Sequence, residues 1–354
     1  MKVLITAGGT GGHIMPAIAI AEAIRERQPG AKVLFVGTDR GMEERIARLK
    51  GLDFIPIKAL GIKGKSLTNL GRAIMVNLKA FLRSIRIIKD FRPAWVIGTG
   101  GYITGMVVLS GRLLGCNCAI QEQNSIPGLT NRLLARIAHR VFLAFPDSSG
   151  RFPRSKTLLT GNPLRKELSP FNRTRNGSGS ALLILGGSLG ASSINKAAVQ
   201  AVKILQHEGT LLKVIHQSGK QDFEQVKDAY QKLGIDADVS AFIDDMASAY
   251  NGAALAISRC GGTTLSELSA TGLPAIMVPF PYATDDHQSE NGRYVADQGC
   301  GWLIPDSHLT PERLAIEIKT RLFNPDGLKT ACANMLRIGL GRGADIIARE
   351  ILRV

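Results

Sequence analysis

Three glycine-rich stretches carry the residues of this chain that could do chemistry: AGGTGGH at 7–13, GGSLGA at 186–191 and GGTTLSELSATG at 261–272. Glycine has no Cβ, so backbone N–H groups in such loops can approach an oxygen-rich group closely. The free N–H groups and positive dipole end of a following helix suit a phosphate or diphosphate. His13 closes the first loop, where such a group or its reacting neighbour would lie. An imidazole titrates near neutral pH and can take a proton from a hydroxyl. The same ring can equally be a structural group bonded to the loop backbone. Ser188 in the second loop reads as a phosphate-binding hydroxyl or as an ordinary N-cap. Ser266 and Glu267 in the third lie near a helix start, where the dipole favours a carboxylate with or without a ligand.

Each stretch needs a strand before it and a helix after it. Lys2–Ala7 reads as a buried strand, and helical spacing of small and apolar residues predicts a helix starting after Pro16. Further strand-like runs at Lys32–Gly37, Trp95–Gly98, Cys118–Gln121 and Val141–Ala144 alternate with helical patterns, which predicts α/β architecture with a parallel sheet. The stretch GNPLRKELSPFNRTRNGSGS at 161–180 reads as an inter-domain linker. Directly after it the pattern restarts, with strands expected at Leu211–His216, Val239–Ala241, Ala254–Ser258 and Ala275–Pro279. The expectation is two Rossmann-like, doubly wound parallel-sheet domains facing across a cleft, with C-terminal helical residues crossing back to the first.

A length of 354 residues fits two domains, each with a real core. No apolar run is long enough for a membrane span, and the five cysteines, irregularly spaced, fit a reducing cytoplasm. The net charge of +15 is one-sided. Residues 1–165 hold 25 Lys/Arg against 9 Asp/Glu, and the remainder is close to balanced. A basic face on the first domain therefore meets an anionic partner. In 69–90, Leu70, Ile74, Leu78, Phe81, Ile85 and Ile88 share one helical face, with Arg72, Lys79, Arg83 and Arg86 opposite and Met75 and Leu82 at the border. A core helix with a solvated basic face is the default reading. Sparse aromatic residues argue against nucleic acid.

The dinucleotide frame G-x-G-x-x-G fails in both glycine loops, and no Lys–Ser/Thr pair follows either, which excludes a Walker-type loop. A longer set of motifs is more specific: GGTGGH at 8–13, GTGGYITG at 98–105, QEQNSIPGLTNRLLA at 121–135, GNPLR at 161–165, GGSLGA at 186–191, HQSGK at 216–220, FIDDM at 242–246 and GGTTLSELSATGLPAIMVPFP at 261–281. In order and spacing they resemble glycosyltransferase family 28, the bacterial enzymes that transfer GlcNAc from UDP-GlcNAc to lipid I to form lipid II in peptidoglycan synthesis. The resemblance covers nearly the whole chain.

It implies a GT-B fold. Residues 1–160, completed by a helix at 336–354, would hold the lipid acceptor and meet the membrane; residues 161–335 would bind UDP-GlcNAc. It implies that Gly262, Thr263, Thr264, Leu265, Ser266 and Glu267 hold the nucleotide, with Glu267 accepting from the ribose hydroxyls. Arg165 and Ser188 would meet the phosphates, main-chain groups of Ile243 the uracil edge, and Gln288 the GlcNAc hydroxyls. Thr10, Gly11 and Gly12 would lie against the pyrophosphates, with Asn124 also binding substrate. His13 is the expected base and Glu122 the alternative. The family's usual motif is HEQN, so Gln121 stands where histidine is expected and weakens a proton relay through that position. Met75, Leu78, Phe81 and Leu82, ringed by Lys63, Lys65, Lys79 and Arg83, would form a patch docking on anionic lipid at the cytoplasmic face of the inner membrane. The mechanism implied is inverting, without cofactor or metal, and cell-wall synthesis proteins are conceivable partners. The acidic pair of DAD at 236–238 reads as a solvated loop. Rival readings are another GT-B glycosyltransferase, a UDP-GlcNAc epimerase, or a non-enzymatic nucleotide-sugar sensor.

Overall fold

The computed structural model describes residues 1–39, 41–61, 67–147, 150–168, 180–186 and 190–353. Ser188, Lys63 and Lys65 lie outside the described residues. The chain divides into two compact units, Met1–Lys166 with Arg342–Val354, and Glu167–Gly341.

In the first unit the order is β1 (Lys2–Thr6), α1 (Gly11–Arg27), β2 (Lys32–Thr38), α2 (Glu43–Leu49), β3 (Asp53–Ile57), α3 (Leu67–Phe91), β4 (Trp95–Gly98), α4 (Tyr102–Leu113), β5 (Asn117–Glu122), α5 (Leu129–Leu134), β6 (Arg140–Leu143) and β7 (Thr157–Leu159). Among the described residues these strands form a seven-stranded parallel sheet, ordered β3-β2-β1-β4-β5-β6-β7. Buried runs such as Val3–Ile5 and Val96–Ile97 are apolar on both faces because helices cover both.

In the second unit come β8 (Ala181–Leu185), α6 (Ser192–His207), β9 (Val214–Gln217), α7 (Phe223–Lys232), β10 (Ala237–Ser240), α8 (Met246–Gly252), β11 (Ala253–Ser258), α9 (Gly262–Thr271), β12 (Ala275–Met277), α10 (His287–Asp297), β13 (Gly301–Leu303), α11 (Pro311–Leu322) and α12 (Pro325–Ile338). Among the described residues its strands form a six-stranded parallel sheet, ordered β10-β9-β8-β11-β12-β13. In each sheet the strand order reverses once, between β1 and β4 and between β8 and β11. Crevices at such reversals, beyond the carboxyl ends of the strands, are where open α/β sheets bind ligands.

Several local expectations are corrected. The first helix begins at Gly11, with extended Thr10 as its cap and Pro16 inside it. Pro16 has no N–H, so the Gly12 carbonyl loses its intrahelical donor. Residues 161–164 are buried rather than linker: Gly161 N donates to Leu143 O (3.1 Å), and Asn162 O accepts from Gly343 N (3.0 Å). The C-terminal segment is two helices, because left-handed Gly339 (φ 64°) ends α12. The last, α13 (Gly343–Leu352), packs on α1 and contributes fully buried Ile347, Ala348 and Ile351 to the first unit's core.

Among the described residues of α3 the apolar stripe is buried only at its end, where Ile88 is buried and Ile85 half-buried. Ala73, Asn77, Ala80, Ser84, Ile87 and Ile88 face inward, and the helix packs on α4. Small residues let the two helices approach closely. Ile74, Met75, Leu78 and Leu82 are each more than half exposed, Phe81 is half-buried, and Arg72, Lys79, Arg83 and Arg86 are exposed. Among the described residues no helix is long and apolar enough to cross a membrane.

Candidate active site

In the first unit two glycine loops meet at the strand-order reversal. Gly8 N donates to Gly100 O (3.3 Å), and a Cβ on Gly101 would come within 2.2 Å of Gly8 O. Gly100 and Gly101 have φ of 121° and 86°, conformations that only glycine adopts cheaply. The exposed Thr10 and half-buried Gly11 and Gly12 open α1, whose first N–H groups have no intrahelical acceptor. Beneath them, the fully buried Glu43 accepts from Gly9 N (3.2 Å) and Thr38 Oγ1 (2.7 Å), which anchors the loop from below.

His13 stands in the first turn of α1, half-buried. Its Nδ1 faces two oxygens, Thr99 O at 3.1 Å and Gln123 Oε1 at 2.9 Å. The carbonyl can only accept, so Nδ1 carries the hydrogen and Nε2 of the neutral ring holds the lone pair. Among the described residues Nε2 has no partner. Thr99 Oγ1 donates back to His13 O (2.8 Å), closing a clamp between α1 and the end of β4.

Glu122 has a different environment. It is buried, and its oxygens accept from Asn124 N (3.1 Å), Asn124 Nδ2 (3.4 Å), Gly128 N (3.1 Å) and Asn131 Nδ2 (2.8 Å). These bonds tie the loop 123–128 to the start of α5. Asn124 is half-buried beside it, and so is Arg165, one residue before the first unit's long segment ends at Lys166.

In the second unit the corresponding reversal is occupied by the N-terminus of α9. Gly261 caps it in an extended conformation, and its first turn carries no acidic residue. Thr263, Thr264 and Glu267 are half-buried, whereas Leu265 and Ser266 are buried. Ser266 Oγ donates back to Gly262 O (2.7 Å), so its hydroxyl is turned into the helix instead of outward. Glu267 Oε2 accepts from Tyr250 OH (2.8 Å). Ile243 N is taken by Gln217 Oε1 (3.2 Å), which leaves its carbonyl as the main-chain group for a ligand. Gln288 Oε1 accepts from both Cys260 N (3.1 Å) and Phe280 N (3.0 Å), so this amide can present only its NH₂.

Sequence reasoning passed over five residues that hold these parts in place. Gln123 and Thr99 grip His13, and Tyr250 orients Glu267. Arg259 donates to Pro279 O (3.0 Å), Asp306 Oδ1 (2.6 Å) and Ser193 Oγ (2.7 Å), joining the loops after β11 and β12 to the first turn of α6. The buried His216 bonds Asn195 Oδ1 (3.0 Å) and Tyr230 OH (3.1 Å), and burial pushes its pKa from 6.5 down to about 3. Glycine spacing gives no signal for any of them, although Gln123 sits inside QEQN and Arg259 two residues before the glycines at 261–262. Asp236 and Asp238 are exposed at the start of β10, the sheet end opposite the glycine loops.

Residues 3–143 match the glycosyltransferase family 28 N-terminal domain, and residues 181–339 match the glycosyltransferase family 28 C-terminal domain. A relative from Myxococcus xanthus is 42% identical over 333 residues, covering 93% of this chain and 87% of that protein. The chain belongs to glycosyltransferase family 28. The Myxococcus member is named a UDP-N-acetylglucosamine–N-acetylmuramyl-(pentapeptide) pyrophosphoryl-undecaprenol N-acetylglucosamine transferase. A family 28 protein of known structure, MurG of Acinetobacter baumannii, matches with a TM-score of 0.82 at 33% identity, over 100% of this chain and 99% of that one. The two parallel sheets are those of the GT-B fold. A Neisseria meningitidis UDP-GlcNAc 2-epimerase shares that fold alone, with a TM-score of 0.69 at 15% identity over the full length of both chains.

Proposed function

We infer that this family 28 chain transfers GlcNAc from UDP-GlcNAc to undecaprenyl-pyrophosphoryl-MurNAc-pentapeptide, lipid I, to form lipid II in peptidoglycan synthesis. The observation that carries the chemistry is His13, its Nδ1–H held by the Thr99 carbonyl and its Nε2 free. Nε2 removes the proton from the MurNAc C4 hydroxyl as that oxygen attacks the anomeric carbon of GlcNAc. Attack opposite the departing UDP inverts the centre, through a state with oxocarbenium character. The imidazolium that forms keeps its Nδ1–H bonds. Glu122 is the poorer base, because both its oxygens are committed to donors.

The second unit holds the donor. The N–H groups at Gly262–Thr264 and the α9 dipole offset the charge growing on the departing diphosphate, with Arg165 and Ser188 adding to it. Glu267, steadied by Tyr250, accepts from the ribose hydroxyls. The Ile243 carbonyl reads uracil, and the Gln288 NH₂ group donates to the sugar. In the first unit Thr10, Gly11, Gly12 and Asn124 hold the acceptor. Exposed Met75, Leu78 and Leu82, with Phe81 at their edge and Lys79 and Arg83 beside them, dock on anionic lipid at the cytoplasmic face. A lipid-tailed acceptor cannot leave the bilayer, so the enzyme must come to it.

The test uses labelled UDP-GlcNAc and a short-chain lipid I analogue, with His13→Ala beside the unaltered chain. Loss of turnover with donor affinity intact is expected. Turnover of UDP-GlcNAc without acceptor would point instead to an epimerase, and undiminished transfer by His13→Ala would remove His13 from the mechanism.

A further inference from the structure

Behind His13 runs a line of buried amides that glycosyl transfer itself does not require. Gln123 directs its oxygen at His13 Nδ1 and its NH₂ at Thr99 O and at Gln121 Oε1. Gln121 in turn donates through Nε2 to Glu122 O (3.1 Å) and to Asn162 Oδ1 (3.0 Å). Asn162 donates through Nδ2 to Gln123 O (3.3 Å). All three side chains are essentially inaccessible to solvent.

The three amides point the same way. Each has its NH₂ facing at least one main-chain carbonyl: Thr99 O for Gln123, Glu122 O for Gln121 and Gln123 O for Asn162. A carbonyl cannot donate, so turning any one amide over would set oxygen against oxygen in a dry interior, leaving groups unpaired. With the last amide fixed, the next is fixed, and the row ends on an oxygen at Nδ1. The far end is anchored too, because the Asn162 carbonyl accepts the Gly343 N–H.

We propose that Gln121 and Asn162 are positioning residues which, acting through Gln123, hold His13 as the Nδ1–H tautomer with Nε2 as its basic nitrogen. The proposal rests on His13 being the base. What position 121 must supply is one acceptor and one donor at once, not a transferable proton. Methionine has the reach and no N–H. Histidine supplies both a donor and an acceptor.

The experiment is ¹⁵N NMR of histidine-labelled full-length protein, with the His13 signals assigned from their absence in His13→Gln. Kinetics of Gln121→Met and Gln121→His run beside it. In the unaltered chain with the ring neutral, His13 Nδ1 should resonate as a protonated nitrogen and Nε2 as an unprotonated one. The opposite tautomer overturns the proposal, and this measurement needs no variant at position 121. Gln121→Met should loosen Gln123, shift the His13 ring-nitrogen signals and lower kcat about tenfold with the UDP-GlcNAc KM unchanged; Gln121→His should restore both within about threefold. Unchanged His13 signals in Gln121→Met, or failure of histidine to rescue, overturn it. The ring signals report the tautomer whether or not His13 is the base, so active His13→Ala enzyme would sink the catalytic reading separately.

Discussion

Gly100 is the position at which a single methyl group should separate catalysis from folding. A Cβ added there would lie 2.4 Å from His13 Nδ1 and 2.6 Å from Cε1. Ordinary contact begins at 3.4 Å, so the ring must retreat by about 1 Å. That displacement breaks its bond to Thr99 O, and a 1 Å error at a catalytic group costs on the order of 10²-fold in rate. Gly100→Ala should therefore lower kcat about 100-fold, equivalent to about 2.7 kcal/mol of barrier. The alanine also bears the strain of φ 121°, roughly 1–3 kcal/mol. Gly115 supplies the control: its φ is 79°, and a Cβ there meets nothing within 4 Å. Gly115→Ala should share the strain, a fall of several degrees in Tm, without the loss of turnover. The assay is steady-state transfer to a short-chain acceptor, with donor affinity by calorimetry and thermal melts on both variants. If Gly100→Ala keeps kcat within threefold at the same Tm as Gly115→Ala, the ring is not held where its function is argued to need it.

Three further outcomes follow from the same geometry. Tyr250→Phe removes a donor from the Glu267 carboxylate and should weaken UDP-GlcNAc binding about three- to tenfold with kcat kept, read by calorimetry and kinetics. His216 is neutral when folded because burial holds its pKa near 3, whereas the unfolded chain takes up a proton near 6.5. Stability is therefore full above that value and falls as the pH drops toward 3. Between pH 7.5 and 5.5 the loss should be on the order of 1 kcal/mol in urea melts, and His216→Asn should lack that component. Leu78→Glu with Leu82→Glu should cut co-sedimentation with anionic vesicles at least tenfold without changing the circular dichroism; undiminished sedimentation would place the membrane contact elsewhere.

The two strand–loop–helix starts were legible because glycine loops between apolar runs and helices are local patterns. Three strands left no such trace. β3, β7 and β13 are sheet edges, short and partly exposed, and β3 contains Pro56. Edge strands lack the apolar runs that mark a strand covered on both faces. The default core reading of α3 fails over 73–84 because hydrophobicity marks the larger side chains, while the helix there buries its smaller ones at 73, 77, 80 and 84. Residues 161–164 have the composition of a linker, yet Asn162 is buried by partners at 121 and 123. Within the site, His13 and Glu267 announce themselves by residue type and position. Their orienting partners Thr99 and Tyr250 are 86 and 17 residues away, and only the sheet brings the first of these pairs together.

The return of α13 to the first unit sets an order on the chain's birth. Residues 167–341 are contiguous and can complete their sheet while synthesis continues, as domains commonly do. The first 166 residues leave the ribosome earlier but must wait for Ile347, Ala348 and Ile351 to close over α1. The half made first is thus finished last, and until α13 emerges it carries a bare apolar strip for chaperones to shield. A nascent chain stalled before Gly343 would leave that strip open to aggregation.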